Sequence, residues 1–107
     1  GHARAFEYMA TGRDITAEEA GRVGLANLVV PPDRLEAETM KLAQSLAQAP
    51  TTAIGYIKRT LNFCATAGLD ESLAYEAILQ QAASETSDHA EGVKAFIEKR
   101  PARFTGS

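Results

Sequence analysis

The chain has 107 residues, a formal net charge of −3 and 45% hydrophobic residues. This length allows one domain or less, and the acidic balance disfavours a nucleic-acid partner, which would require a basic surface and a high pI. No apolar run approaches the roughly 20 residues that span a membrane, so no membrane partner is expected. A single cysteine excludes an internal disulfide framework and fits a reducing compartment, so a cytoplasmic protein is expected.

The chain begins with Gly1 and His2, which together resemble a cloning remnant joined to native sequence. We therefore leave His2 out of any functional interpretation. One helical domain is expected over residues 3–107, as an excised piece of a longer protein.

A very short helix is predicted near the start of the chain. Gly12 is suited to end an earlier helix, which comes before this short one. Gly24 is suited to the position just after the last residue of the short helix. Thr16 is a favourable N-cap with Glu19 three residues later. This spacing predicts a capping box, in which each of the two side chains accepts a hydrogen bond from the other residue's N–H.

Residues 25–30 predict one very short β-strand, because they are mostly apolar and end in two valines. No second strand is predicted in the chain, and an unpaired strand exposes backbone donors and acceptors. We expect its partner strand to lie in a missing part of the protein or in another molecule.

Four further helices are predicted, because apolar residues recur at helical spacing from Pro32 onwards. Pro32 suits the first helical position. Asp70 is expected to cap the third of these helices, and Asp88 with Glu91 predicts a capping box at the start of the last. The chain is therefore predicted to be mainly α, with more apolar faces than a compact bundle needs. Such faces indicate packing on something outside this chain.

No residue of the chain is assigned a catalytic role, and no metal site is predicted. The carboxylates fall on polar helix faces or in capping positions, where a buried acid–base pair is not expected. His89 is interpreted as a surface residue, and Cys64, on the apolar stripe of its helix, as a small buried hydrophobe. Gly92 leaves two interpretations open, which are close approach of another group and fraying of the first helical turn.

Phe96 and Lys99 are the candidate ligand-binding residues. They are three residues apart, so a continuous helix would place them on one face. A ring that stacks and an ammonium that neutralises charge suit a purine with a phosphate. The alternative is that Lys99, Arg100 and Arg103 place positive charge where the dipole of the helix favours it.

Four stretches resemble the crotonase superfamily, the enoyl-CoA hydratases and isomerases, in order and spacing. They are Thr11 to Leu25, Val29-Val30-Pro31-Pro32, Ile57-Lys58 and Asp88 to Phe104. The resemblance implies the helical C-terminal region that follows a larger β/α spiral core, and a role in packing subunits into trimers or dimers of trimers. It also implies acyl-CoA thioesters as substrates. The oxyanion hole and the catalytic carboxylates would then lie in the missing N-terminal core.

The same resemblance implies a role for Phe96 and Lys99. Family members similar to the hydratase bring an aromatic residue and a lysine of the last helix towards the adenine and phosphate of CoA, often of a neighbouring subunit. The expected function is thus the C-terminal part of an acyl-CoA-processing enzyme. It would contribute to oligomerisation and to the CoA site, carry no cofactor and be inactive when separated. Hydration, isomerisation and other thioester reactions stay open. The alternative function is a non-enzymatic helical interaction module. Such a module would share with the family only the residues that mark the starts and ends of helices.

Overall fold

The computed structural model describes all 107 residues, and its regular elements are helices only. The prediction of a mainly α chain is confirmed. No helix combines the length with the apolar character that crossing a bilayer requires. The chain divides into two compact units, residues 1–38 and 39–107. In chain order the elements are α1 (His2–Thr11), α2 (Ala17–Arg22), a 3-10 turn (Pro32–Arg34), α3 (Leu35–Ala47), α4 (Thr51–Cys64), α5 (Leu69–Ser84) and α6 (Ser87–Glu98).

The predicted ends of the first helices are confirmed. Gly12 caps α1 with a φ of 61°, and Gly24 lies just after α2 with a φ of 77°. Pro32 is the first residue of the 3-10 turn that leads into α3. Each of these positions suits the residue that occupies it, because glycine tolerates a positive φ and proline has no N–H to satisfy at a helix start.

The strand predicted at residues 25–30 is wrong. These residues form a bend and an irregular stretch, and the first two of their N–H groups donate to the carbonyl of Ala20 in α2, at 2.8 and 3.1 Å. Val29 lies over Gly21, where an added Cβ would be 2.9 Å from Val29 Cγ2. A strand needs a neighbour for its backbone groups, and here the first groups of the segment bond locally to the preceding helix.

Half of the capping box predicted at α2 is confirmed. The Thr16 hydroxyl accepts a hydrogen bond from the Glu19 N–H at 3.2 Å. The reciprocal half is wrong, because the Glu19 carboxylate instead accepts from Arg13 and from the Tyr8 hydroxyl, at 2.7 and 2.9 Å. A guanidinium gives a carboxylate a stronger, charge-assisted hydrogen bond than one neutral backbone N–H does.

In the second unit, α5 packs against α4 and α6. Phe63 of α4 stacks on Tyr75 of α5 with ring centroids 4.4 Å apart. The apolar core is small, since Leu79 and Ala95 are its buried residues. The prediction that Cys64 is buried is wrong, because its side chain is exposed at the end of α4.

The cap predicted for α5 is also wrong. The helix starts after Gly68, two residues before Asp70. Glu71 then reaches back, and its carboxylate accepts from the Gly68 N–H at 3.0 Å. This is the carboxylate half of a capping box, and glycine has no side chain to provide the other half.

Candidate functional site

Asp88 lies in the first turn of α6 and is almost completely buried, at 3% exposure. The N-cap of this helix is Thr86, whose hydroxyl accepts from the His89 N–H at 3.1 Å. The capping box predicted for Asp88 and Glu91 is therefore wrong, because the helix starts two residues earlier than that box requires. His89 is exposed, as predicted.

The partners of Asp88 belong to the last residues of the chain. Its two carboxylate oxygens accept from the N–H groups of Thr105 and Gly106, at 2.7 and 2.8 Å. Its own N–H donates to the carbonyl oxygen of Ser107 at 3.0 Å. A buried carboxylate is tolerated when it is hydrogen-bonded, so these backbone groups account for the burial of Asp88.

Glu91 lies one turn further along α6 and also binds residues that follow the helix. Its two carboxylate oxygens accept from the two terminal nitrogens of Arg100, at 2.6 and 2.8 Å. One of them also accepts from the Arg103 N–H at 2.8 Å. The Arg100 guanidinium, followed by the Arg103 N–H, lowers the pKa of Glu91 to about 2.

Residues 100–107, here called the return segment, run back along α6. Later residues of the segment contact earlier residues of the helix, since Glu91 binds residues 100 and 103 whereas Asp88 binds residues 105 and 106. The signal in the sequence was the three-residue spacing of the two carboxylates, which puts both on one helix face. That spacing did not reveal what they bind.

The return segment also contacts the rest of the second unit. The Thr52 hydroxyl of α4 donates to the Gly106 carbonyl at 2.7 Å. A Cβ added at Gly92 would lie 3.6 Å from the Phe104 ring. This is an ordinary contact distance that would admit a side chain, so close approach of Phe104 does not explain the glycine at position 92.

Phe96 lies on α6 and is 85% exposed. It lines an open, mainly apolar groove of about 460 Å³, together with residues of α4 and α5 and the Phe104 ring. Lys99 is not among the residues that line this groove. An exposed ring beside an apolar groove can stack on a flat ligand.

Lys99 is not part of the helix on which its pairing with Phe96 was predicted. The helix ends at Glu98, and Lys99 has the left-handed values φ 52° and ψ 42°. The assumption of a shared helical face is therefore wrong, although the Lys99 N–H still donates to the Phe96 carbonyl at 3.3 Å. The role of the two residues in ligand binding stays a prediction.

A second polar cluster joins α1 to α2 in the first unit. Arg13 donates to both carboxylate oxygens of Glu19 and to Glu7, and its guanidinium lies 4.7 Å from the centroid of the Tyr8 ring. Arg13 and then the Tyr8 hydroxyl lower the pKa of Glu19 to about 2. Burial, followed by the hydrogen bond to Glu19, raises the pKa of Tyr8. These groups satisfy one another, so the cluster links two helices.

No three His, Cys, Asp or Glu side chains lie close enough together to hold a metal ion. The polar groups that the chain does bring together in α6 and the return segment hold its own backbone. Phe96 and Lys99 are exposed on the same part of the chain.

The helices and their motifs define a known class of protein. The family model for enoyl-CoA hydratase/isomerase matches residues 1–107, so the chain belongs to the enoyl-CoA hydratase/isomerase family. The family resemblance drawn from the sequence is confirmed.

Individual relatives agree with this assignment. The chain is 40% identical over 105 residues to the "Probable enoyl-CoA hydratase echA8" of Mycobacterium tuberculosis, covering 98% of the chain and 41% of that protein. It is 38% identical over 106 residues to the 1,2-epoxyphenylacetyl-CoA isomerase of Escherichia coli, covering 99% of the chain and 40% of that protein.

Solved structures of enoyl-CoA hydratases are also similar to this chain. An enoyl-CoA hydratase subunit of Geobacillus kaustophilus matches with a TM-score of 0.92 and 37% identity, covering 98% of this chain and 41% of that one. The enoyl-CoA hydratase of Bacillus anthracis matches with a TM-score of 0.89 and 33% identity, covering 97% of this chain and 40% of that one. The chain thus spans about two fifths of the length of these relatives.

Proposed function

We propose that this chain is the C-terminal helical region of a larger enzyme that acts on an acyl-CoA thioester, and that it contributes to subunit assembly and to the CoA site. The observation that carries the proposal is the family match over all 107 residues by a chain about two fifths as long as its relatives. The names of two relatives share coenzyme A but differ in the reaction, one a hydratase and one an isomerase. The proposal therefore specifies the substrate class and leaves the reaction to the rest of the enzyme.

The uncovered apolar side chains support a role in assembly. Met9 of α1 and Phe96 and Ile97 of α6 are each more than 70% exposed. They are among many large apolar side chains that are exposed in this chain, and exposed apolar patches are typical of interaction surfaces. We propose that the N-terminal core and neighbouring subunits cover it, in trimers or dimers of trimers.

The test of the enzyme assignment compares the 107-residue chain with the product of its complete natural reading frame. Both are assayed with crotonyl-CoA and with a small panel of other acyl-CoA thioesters. We expect turnover by the complete product and none by the 107-residue chain, because the proposed oxyanion hole and carboxylates lie outside it. Turnover by the 107-residue chain at the rate of the complete product would contradict the proposal.

Two observations support a role for Phe96 and Lys99 in binding CoA. The Phe96 ring is exposed beside an apolar groove. The Lys99 ammonium takes part in none of the ion pairs of the chain, whereas Arg100 beside it is paired with Glu91 and Glu98. An unpaired cation remains available to an external phosphate.

The substitution Lys99→Ala in the complete enzyme tests this role. We expect KM for the acyl-CoA to rise about fivefold, on the order of 1 kcal/mol, with kcat nearly unchanged, since an exposed ion pair contributes equally before and during the reaction. Lys94→Ala, which removes an exposed lysine one turn earlier, is the control and should leave KM unchanged. If Lys99→Ala leaves KM, stability and assembly unchanged, the helix-dipole interpretation of Lys99 remains.

A non-enzymatic helical interaction module is the second candidate, and the exposed apolar helix faces are the observation that favours it. The family match over the full chain excludes a module that shares only the residues at helix starts and ends with the family. A natural reading frame that starts near residue 3 would support this candidate. A frame that continues upstream into a glycine-rich oxyanion loop would rule it out.

A further inference from the structure

Lys99 is the one non-glycine residue of the chain with a positive φ. It occupies the position after the last residue of α6, and the N–H groups of Lys99 and Arg100 donate to the carbonyls of Phe96 and Ala95, at 3.3 and 3.1 Å. This pair of bonds is the Schellman motif, which places a left-handed residue, usually glycine, at this position. A residue with a Cβ is disfavoured there, so other contacts are needed to hold lysine in this conformation.

Arg100 provides those contacts. Its guanidinium forms a two-pronged bond with Glu91 of α6, and its Nε donates to Glu98 at 2.6 Å. Such forked pairs fix geometry as well as adding energy. The backbone of Lys99 is thus fixed on one side by the end of α6 and on the other by a side chain anchored to the same helix.

The same bonds divide the two neighbouring cations by role. The charge of Arg100 is compensated by Glu91 and Glu98, so it has little left to offer an outside anion. Lys99 has no such partner. Arg100 is therefore bound within the backbone turn at residues 99 and 100, here called the corner, whereas the Lys99 ammonium forms no ion pair within the chain.

We propose that Glu91 is a positioning residue for Lys99. Acting through Arg100, it holds Lys99 in the left-handed conformation, which fixes the direction of the Cα–Cβ bond and directs the ammonium to a phosphate of the acyl-CoA. This inference rests on the proposed function, because it assigns Glu91 a part in the same CoA site. Glu91 also binds the Arg103 N–H, so a single carboxylate holds both the corner and the start of the return segment.

The corner itself is tested in the 107-residue chain by NMR. In Glu91→Gln we expect the Cα and Cβ shifts of Lys99 to move away from left-handed values, and the Arg103 amide to exchange about tenfold faster because its charged acceptor is lost. Glu98→Gln is the matched control, since it removes the other partner of Arg100 and leaves the fork to Glu91 intact. Lys99 shifts that are unchanged in Glu91→Gln would overturn the proposal.

Positioning is tested in the complete enzyme by a double-mutant cycle of Glu91→Gln and Lys99→Ala. We expect Glu91→Gln to raise KM for the acyl-CoA about threefold with kcat unchanged, less than the loss of the charge itself. In the Lys99→Ala background it should raise KM no further, because the group it positions is gone. A purely structural role for Glu91 would instead give effects that add.

The outcomes separate this inference from the proposed function. If Lys99→Ala raises KM and Glu91→Gln does not, the positioning role is overturned and the CoA role of Lys99 stands. If neither changes KM, the CoA role of Lys99 fails, and the positioning role fails with it. Complementary evidence comes from Arg100→Lys, which keeps a charge but cannot form the fork and should reproduce the KM of Glu91→Gln.

Discussion

Glu19 and Glu91 each accept a forked hydrogen bond from an arginine, and both have a pKa of about 2 in place of the usual 4.5. A carboxylate with a lowered pKa in the folded state stabilises that state fully above the unfolded value of 4.5. The contribution is lost as the pH falls through the folded value. The two arginine clusters should therefore be unaffected by pH near neutrality and weaken in acid.

We expect the protection of the Arg103 amide, which binds Glu91, to be constant from pH 7 to about pH 5 and to fall between about pH 4.5 and pH 2. Amide exchange measured by NMR across this range follows the change. Glu91→Gln should remove this acid-dependent step, whereas Glu19→Gln should leave it in place. A loss of protection already complete at pH 5.5 would show that another group controls the segment.

Asp88 gives a stability prediction at the same scale. Asp88→Asn replaces one of two acceptor oxygens by a donor, which leaves one of the N–H groups of Thr105 and Gly106 facing another N–H. We expect the free energy of unfolding to fall by about 1–3 kcal/mol, the cost of an unsatisfied buried group. Urea denaturation measures the change. Asp70→Asn is the matched control, because Asp70 is also an aspartate in a first helical turn but is exposed.

A change no larger than that of Asp70→Asn would mean that the bonds of Asp88 to the return segment contribute nothing to stability.

The cap of α6 was predicted wrongly from the sequence because the bonds of Asp88 to the return segment could not be foreseen. Thr86 and Asp88 are both favourable N-caps, and Glu91 is a suitable capping-box partner for Asp88. The choice between the two caps depends on the return segment, which is distant in sequence and carries no periodic signal.

At the scale of elements, the return segment depends on Gly106. Its φ is 82°, and an added Cβ would lie 2.5 Å from the Thr51 hydroxyl of α4. We expect Gly106→Ala to detach the end of the segment and to raise the exchange rate of the Thr105 amide. The control is Gly12→Ala, at a φ of 61° with no atom near an added Cβ.

Gly12→Ala should cost only the conformational penalty of a left-handed residue, about 1 kcal/mol, and should leave the Thr105 amide protected. Equal protection of that amide in Gly106→Ala and in the unsubstituted chain would show that α4 does not hold the segment. Both measurements use the 107-residue chain. Because Gly12 lies in the first unit and Gly106 in the second, the unit without the substitution is the internal reference in each case.

Helical periodicity located the four helices from Pro32 onwards, whereas capping residues located the short helix before them. The strand at residues 25–30 was predicted from composition alone, and composition does not show where the backbone N–H groups find acceptors. Likewise, Phe96 and Lys99 were paired by assuming that α6 continues. The helix ends at Glu98, followed by a left-handed Lys99 and by Arg100 bound to Glu91 and Glu98, and the spacing of apolar residues does not reveal this.

At the scale of the whole molecule, the small core and the many exposed apolar side chains predict self-association of the isolated 107-residue chain. We expect a dimer or trimer, with exchange of helices between copies as an easy way to cover these faces. Sedimentation at roughly 100 μM, where even weak association is detectable, measures this. A clean monomer at that concentration would show that the exposed faces do not bind one another.

The proposed function of the whole protein could not be derived from individual residues. Composition and spacing indicated a helical chain with an uncovered surface, and the family resemblance added the substrate class that is proposed above. The candidate site was first predicted from the three-residue spacing of Phe96 and Lys99, and the resemblance then added CoA as its expected ligand. What the resemblance did not contain was the network of Glu91 and Arg100 that lies next to Lys99.

The return segment has a consequence for the order of synthesis. Because it follows α6 in the chain, a ribosome completes the helix before it makes the residues that bind Asp88. Until residues 105 and 106 emerge, the carboxylate of Asp88 lacks these two backbone partners, and the start of α6 relies on its Thr86 cap. A chain that stops before residue 105 would therefore keep all its helices but leave the buried carboxylate of Asp88 without these two N–H donors.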